Sequence, residues 1–189
     1  MMRVYLKQWV WILVVGACVV LMGGAMDPMT KDALKVKHLL GTIETKPSRP
    51  DGKELAAEVS EKELNAYIVY RLAQEKNTLV KSLNVHLLDQ NQVGGKVRFN
   101  PEQLNMGFFF GEDLDFDFKG ILYTRTGSAR VDLTDLQLYG QPIDSKILDS
   151  ILKTVGPDGT SSGGIGDWYE LPKGIKRITT QRGKAVLYY

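Results

Sequence analysis

Three groupings in the 189-residue chain place side chains at spacings that chemistry uses. Gly159-Thr160-Ser161-Ser162-Gly163 matches the G-x-S-x-G string that carries a nucleophilic serine on a sharp turn. That elbow needs a strand before it, a helix after it and a later histidine to accept the hydroxyl proton. Here the preceding segment reads as a helix, and both histidines, His38 and His86, come before Ser161. The string therefore reads as a flexible Gly/Ser loop. Asp113, Asp115 and Asp117 are spaced like the first ligands of a calcium loop, but Phe118 stands where that loop requires glycine. Their alternation with Leu114, Phe116 and Phe118 puts the three acids on the wet face of a strand instead. One cysteine, Cys18, and two histidines fall short of the four ligands of a structural zinc site. A single cysteine also forms no internal disulfide. No catalytic residue, metal site or cofactor is expected.

The third grouping is Met106-Gly107-Phe108-Phe109-Phe110-Gly111. Successive strand side chains point to opposite faces, so Phe108, Phe109 and Phe110 cannot all enter one core. Either they pack around a bulge or they form a tip that touches a membrane or a protein partner. Near the C-terminus Lys173, Lys176, Arg177, Arg182 and Lys184 cluster. Attraction to anionic headgroups is worth only about 1 kcal/mol per basic residue at the surface, so a solvated hairpin face is the plainer reading. The whole chain has 24 basic and 22 acidic residues. Arg3 and Lys7 are the only charges before Asp27, which leaves the remainder balanced. Phosphate binding needs a basic excess, so nucleic acid is not an expected partner. With 43% apolar and 24% charged residues, the chain has a globular rather than a disordered composition.

Residues 1–26 read as an address. Trp9 to Met26 is an 18-residue run without a charged or strongly polar side chain, preceded by Arg3 and Lys7. Basic residues before an apolar run keep the N-terminus in the cytoplasm and send the rest of the chain across the membrane. As a helix the run spans roughly 27 Å, close to a hydrocarbon core of roughly 30 Å. Small residues at Gly23-Gly24-Ala25 offer a cleavage site, and Val15-Gly16-Ala17 before Cys18 has the look of a lipidation box. Signal peptide and uncleaved anchor both fit, and the length of the run favours the anchor. The expected location is the periplasmic side of the inner membrane, held there by residues 9–26.

Periodicity outlines the scaffold. Pro28 to Ile43 reads as a short helix, and 27–58 as that helix plus a linker. Ser60-Glu61-Lys62-Glu63 is a capping box, followed by Leu64, Tyr67, Ile68 and Leu72 along one helical face. Beyond Asn77 the period changes to two. Leu83, Val85 and Leu87 form the apolar side of one strand; Val93, Gly95, Val97 and Phe99 form that of the next. Leu114, Phe116, Phe118 and Leu122 mark a third strand, and Ala129, Val131 and Leu133 a fourth. The parity slip at Asp135 predicts a bulge. Pro142 is expected in the first turn of a second helix with Ile143, Ile147, Leu148, Ile151 and Leu152 inward. A final hairpin turns at Arg182-Gly183. This predicts an α+β domain over 59–189, a curved antiparallel meander covered on its apolar face by two amphipathic helices and preceded by a membrane helix.

Val59-Ser60-Glu61-Lys62-Glu63-Leu64-Asn65-Ala66-Tyr67-Ile68, Leu138-Tyr139-Gly140-Gln141-Pro142 and Leu171-Pro172-Lys173-Gly174-Ile175 together resemble motifs of small bacterial cell-envelope proteins similar to the tubular lipid-binding (TULIP-like) superfamily. The resemblance covers about residues 59–189. It implies a non-enzymatic protein holding lipid tails between a long helix and the inner face of the sheet. On this chain the wall would come from Tyr67, Ile68 and Leu72, from Leu83, Val85 and Leu87, from Phe116, Phe118 and Leu122, and from Ile147, Leu148 and Ile151. The expected partner is a lipid or other apolar small molecule, with lipid transport as the role. The alternative is an adaptor subunit with a filled core that binds an envelope protein. Filled and hollow interiors require the same apolar alternation, so both stay open.

Overall fold

A computed structural model describes residues 27–45, 53–74, 80–100, 113–154 and 166–189, with side chains described as far as Asp149 in the helix that ends at Thr154. The expected membrane segment at residues 1–26 lies outside them, as do Cys18, Phe108 to Phe110, Ser161 and the Ile151 side chain. No described helix is long and apolar enough to cross a membrane.

The first helix, α1 (Pro28–Thr45), buries Ala33, Val36 and Ile43. Strand β1 (Ala56–Ser60) then leads directly into α2 (Glu61–Gln74). The capping box closes reciprocally. The Ser60 amide donates to Glu63 Oε2 (2.9 Å) and the Glu63 amide donates to Ser60 Oγ (3.3 Å). Helices α1 and α2 pack together and are tied by Lys35–Glu63, by Lys62–Asp32 (2.8 Å) and by Lys37 Nζ donating to Tyr70 (2.9 Å).

The meander is present: β2 (Val80–Leu87), β3 (Gln92–Phe99), β4 (Leu114–Arg125) and β5 (Ser128–Leu138) pair antiparallel in sequence order. Short β6 (Gln141–Pro142) and β7 (Tyr169–Glu170) both pair with β5. The sheet curls into a half-barrel. The expected bulge is real. Lys119 pairs with Asp135 and Gly120 with Leu133, leaving Thr134 as the extra residue on β5. Each of the three acids meets a base, two of them directly across the β3–β4 ladder. Asp115 takes a bidentate bond from Arg98 (2.6 and 2.9 Å), Lys81 pairs with Asp113, and Lys96 lies 3.5 Å from Asp117. Among the described residues no group of acids, histidines or cysteines could hold a metal.

Two placements differ from expectation. Pro142 sits in β6, not in a helix, because an edge strand tolerates its missing N–H. The next helix, α3 (Ser145–Thr154), starts after Asp144, whose Oδ1 accepts the Lys146 amide (2.9 Å). The chain also contains a strand that periodicity did not mark. Strand β1 pairs with β9 (Lys184–Tyr188), which pairs with β8 (Arg177–Gln181) in a second, three-stranded sheet.

Three apolar clusters result. Val97, Phe99, Leu114, Phe116, Leu136 and Leu148 join the large sheet to α3, with Phe99 and Phe116 edge-to-face at 5.5 Å. Val36, Ile43, Val59, Ile175 and Leu187 join α1 to the small sheet. Between them Leu87, Val93 and Ala185 link the two sheets.

Candidate apolar ligand cavities

Apolar clefts, partly open to solvent, run between the sheets and the helices. Two cavities lie where the clusters meet. The outer one, about 410 Å³, lies between the concave face of β2–β5 and α3 and reaches the surface at Tyr169, which is 49% exposed. The inner one, about 280 Å³, is a half-open cleft bounded by α1, α2, the concave side of β2–β4 and the small sheet. Leu122 is shared by the walls of both cavities.

The curl that opens this space depends on glycines. Gly95 has no room for a side chain: a Cβ there would collide with the Asn84 carbonyl and lie 3.1 Å from Phe118 Cε1. In β4, a Cβ on Gly120 would stand 2.7 Å from Val131 Cγ1. Glycine at these points lets the strands bend closer than side chains allow.

The free edge of β2 is closed by α2 rather than by another strand. Asn65 Nδ2 donates to the Val85 carbonyl and its Oδ1 accepts the Val85 amide, both at 2.8 Å. One turn earlier, Glu61 Oε2 accepts the Leu87 amide (2.7 Å) while Oε1 meets His86 Nδ1 at 3.0 Å. The match is geometric. Four helical residues rise about 6 Å and two strand residues about 6.8 Å. Burial raises the Glu61 pKa, but the Leu87 amide and His86 together outweigh it and hold the carboxyl below its usual value.

A second lock joins the two sheets at the inner cavity. Thr180, 3% exposed, is the one buried polar residue among the described ones. Its hydroxyl lies 3.0 Å from the Leu88 carbonyl and 3.2 Å from that of Gln92, and its amide donates to Asn91 Oδ1 (2.9 Å). Among the described residues lining the inner cavity, only Tyr67 and Thr180 carry a hydroxyl, and that of Thr180 is thus turned toward main chain. Asn91 also accepts the Leu122 amide at its carbonyl (2.8 Å), which pins the residue shared by both walls.

Charge in these two walls is confined to the outer rim. Arg130 is the one charged lining residue among the described ones, and its guanidinium is matched to Asp132 (2.8 and 3.0 Å) and lies over Tyr123 and Trp168. Arg125 stacks 4.1 Å from the Trp168 ring centroid. Burial, with Asp167 and Asp149 nearby, pushes the Tyr169 hydroxyl above its ordinary pKa, so it stays neutral.

The expected wall residues divide between these spaces. Leu83, Phe118, Leu122 and Leu148 line the outer cavity; Tyr67, Val85, Leu87 and Leu122 line the inner. Phe116, 1% exposed, belongs to the core behind the wall. Ile147 points outward at 51% exposure. Ile68 and Leu72 are half-buried on α2 and line neither cavity. Val97, Phe99, Ala129, Val131 and Leu133 also line the outer cavity. They share the apolar parity of the residues already named, and the alternation of β3 and β5 marks them. Val36 and Leu40 line the inner cavity from α1, where only tertiary packing reveals their role.

The C-terminal bases are dispersed in pairs. Arg177 binds Glu54 (3.1 Å) and lies over Tyr188, Lys184 binds Glu58 (2.7 Å), and Arg182 faces Asp89 (3.5 Å). No family model matches the chain, no curated protein is detectably similar to it, and no solved structure matches it.

Proposed function

We propose that this protein is a non-enzymatic cell-envelope protein that carries a lipid or other apolar ligand between its helices and its curled sheet. The observation that carries the reading is the pair of apolar cavities, about 410 and 280 Å³. The outer one alone falls within the roughly 300–1,000 Å³ of ordinary ligand sites. Burying a hydrocarbon chain there contributes about 0.8 kcal/mol per methylene. The resemblance to TULIP-like envelope proteins supports the same reading, with α2 and α3 as the amphipathic cover. The basic residues before the apolar run at 9–26 support export and anchoring at the periplasmic face of the inner membrane.

The test is mass spectrometry of organic extracts from protein purified without harsh detergent. Stoichiometric lipid supports the carrier reading. A clean extract, together with capture of one protein partner by crosslinking, would replace it with the adaptor reading.

A further inference from the structure

We propose that the two cavities are successive chambers for one hydrocarbon tail, that Leu122 is the partition between them, and that the ligand is a single-chain amphiphile. This rests on the carrier reading and specifies its ligand class and the residue that sets tail length. Leu122 lines both chambers. Its cross-strand partner Val131 lines the outer chamber, and Val85, which like Leu122 packs against the Leu87–Val93–Ala185 cluster, lines the inner. On β2 the same boundary falls between Leu83, in the outer wall, and Val85, in the inner. The boundary runs obliquely across the sheet: through the ladders the Leu83–Val85 step of β2 lies opposite Phe116–Phe118 of β4, four residues before Leu122. The Leu122 backbone is fixed by the bond from its amide to Asn91. Its side chain is only half-buried and can change rotamer.

Volume decides the number of tails. At about 30 Å³ for a water-sized group, 410 Å³ holds about 14 methylene-sized groups and 280 Å³ about 9. Two tails of about 16 carbons exceed the combined space, whereas one tail fits the outer chamber and a longer one needs the inner. The chambers also differ in polarity. The inner one exposes no polar surface, which suits a methyl end and not a headgroup. The polar end belongs at the outer rim, beside Tyr169 and the Arg130–Asp132 pair.

The experiment is a titration of saturated fatty acids from about eight to eighteen carbons into the purified full-length chain, as wild type, Leu122→Ala and Leu122→Phe. In wild type, affinity should rise about fourfold per methylene until the outer chamber fills near twelve to fourteen carbons, then flatten. Leu122→Ala should extend the rise to longer chains. Leu122→Phe should sharpen the limit while leaving the shortest chains unaffected. If Leu122→Phe does not fold, the wild-type series and Leu122→Ala still decide. A rise with no break, or a break that Leu122→Ala does not move, overturns the partition while leaving the carrier reading intact. Binding of no chain at any length overturns both.

Discussion

Gly95 and Phe118 face each other across the β3–β4 ladder, and the Phe118 ring lies 3.1 Å from where a Gly95 Cβ would stand. The aromatic ring covers the glycine that lets the sheet curl, and the same ring lines the outer cavity. Curvature and cavity are thus two consequences of one pairing.

Gly95→Ala should consequently be among the most damaging small substitutions in the chain. The new methyl collides with the Asn84 main chain, which cannot rotate away. A loss of about 3 kcal/mol is expected, at the upper end of ordinary single-substitution effects. Urea denaturation checks it; a loss under about 1 kcal/mol, the ordinary size of a substitution effect, contradicts this origin of the curl.

Asn65 supplies both a donor and an acceptor to Val85 on the edge of β2. Asn65→Ala removes both and leaves two partly buried backbone groups unmatched, at a cost of about 1–3 kcal/mol. Asn65→Asp retains an acceptor for the amide but sets a carboxylate against the Val85 carbonyl, so it should not rescue. Hydrogen exchange at the Val85 amide should accelerate in both variants.

Thr180→Val preserves shape and removes the hydroxyl that joins the β8–β9 hairpin to the Leu88 and Gln92 carbonyls. Its cost should be about 1 kcal/mol, the net worth of one hydrogen bond, because the Gln92 carbonyl keeps the Leu88 amide as a donor. Thr180→Ser keeps the hydroxyl and should lose less. Equal losses for Val and Ser would assign the effect to packing and not to the bond.

Acid should weaken the fold through Glu61. Its carboxyl is held below the usual 4.5 in the folded state, so its contribution is present above that value and is lost as pH falls through the lower folded value. Asp115, lowered by its bond to Arg98, adds to the same acid-side loss. Glu61→Gln should flatten the pH dependence of the thermal midpoint below about pH 4.5. An unchanged profile in that variant would remove Glu61 from the cause.

How far this architecture is readable from the amino acids depends on the range of the interaction. The start of α2 is encoded within four residues, Ser60 to Glu63, and β2 to β5 within their own alternation. The bulge shows as a slip of parity at Asp135. Strand β1 carries one strongly buried residue, Val59, and its partner β9 lies at the far end of the chain, so no local pattern announces it. The edge closure by Glu61 and Asn65 is equally silent, since two polar residues one turn apart look like a solvated helix face. Periodicity identifies inward residues but not whether they meet, which is why Phe116 and Phe118, two positions apart on one face, end as core and cavity wall.

A hollow interior occupied by hydrocarbon is tested most directly by Ala129→Phe. Ala129 lines the outer cavity, so a phenyl ring there fills the space proposed for ligand. Lipid co-purifying with wild type and with Ala129→Phe should be quantified alongside the thermal midpoint of each. A hollow carrier predicts that the variant keeps its midpoint and loses most of its lipid. An overpacked solid core would instead lose about 1–3 kcal/mol, and that loss with an unchanged lipid content would contradict the carrier.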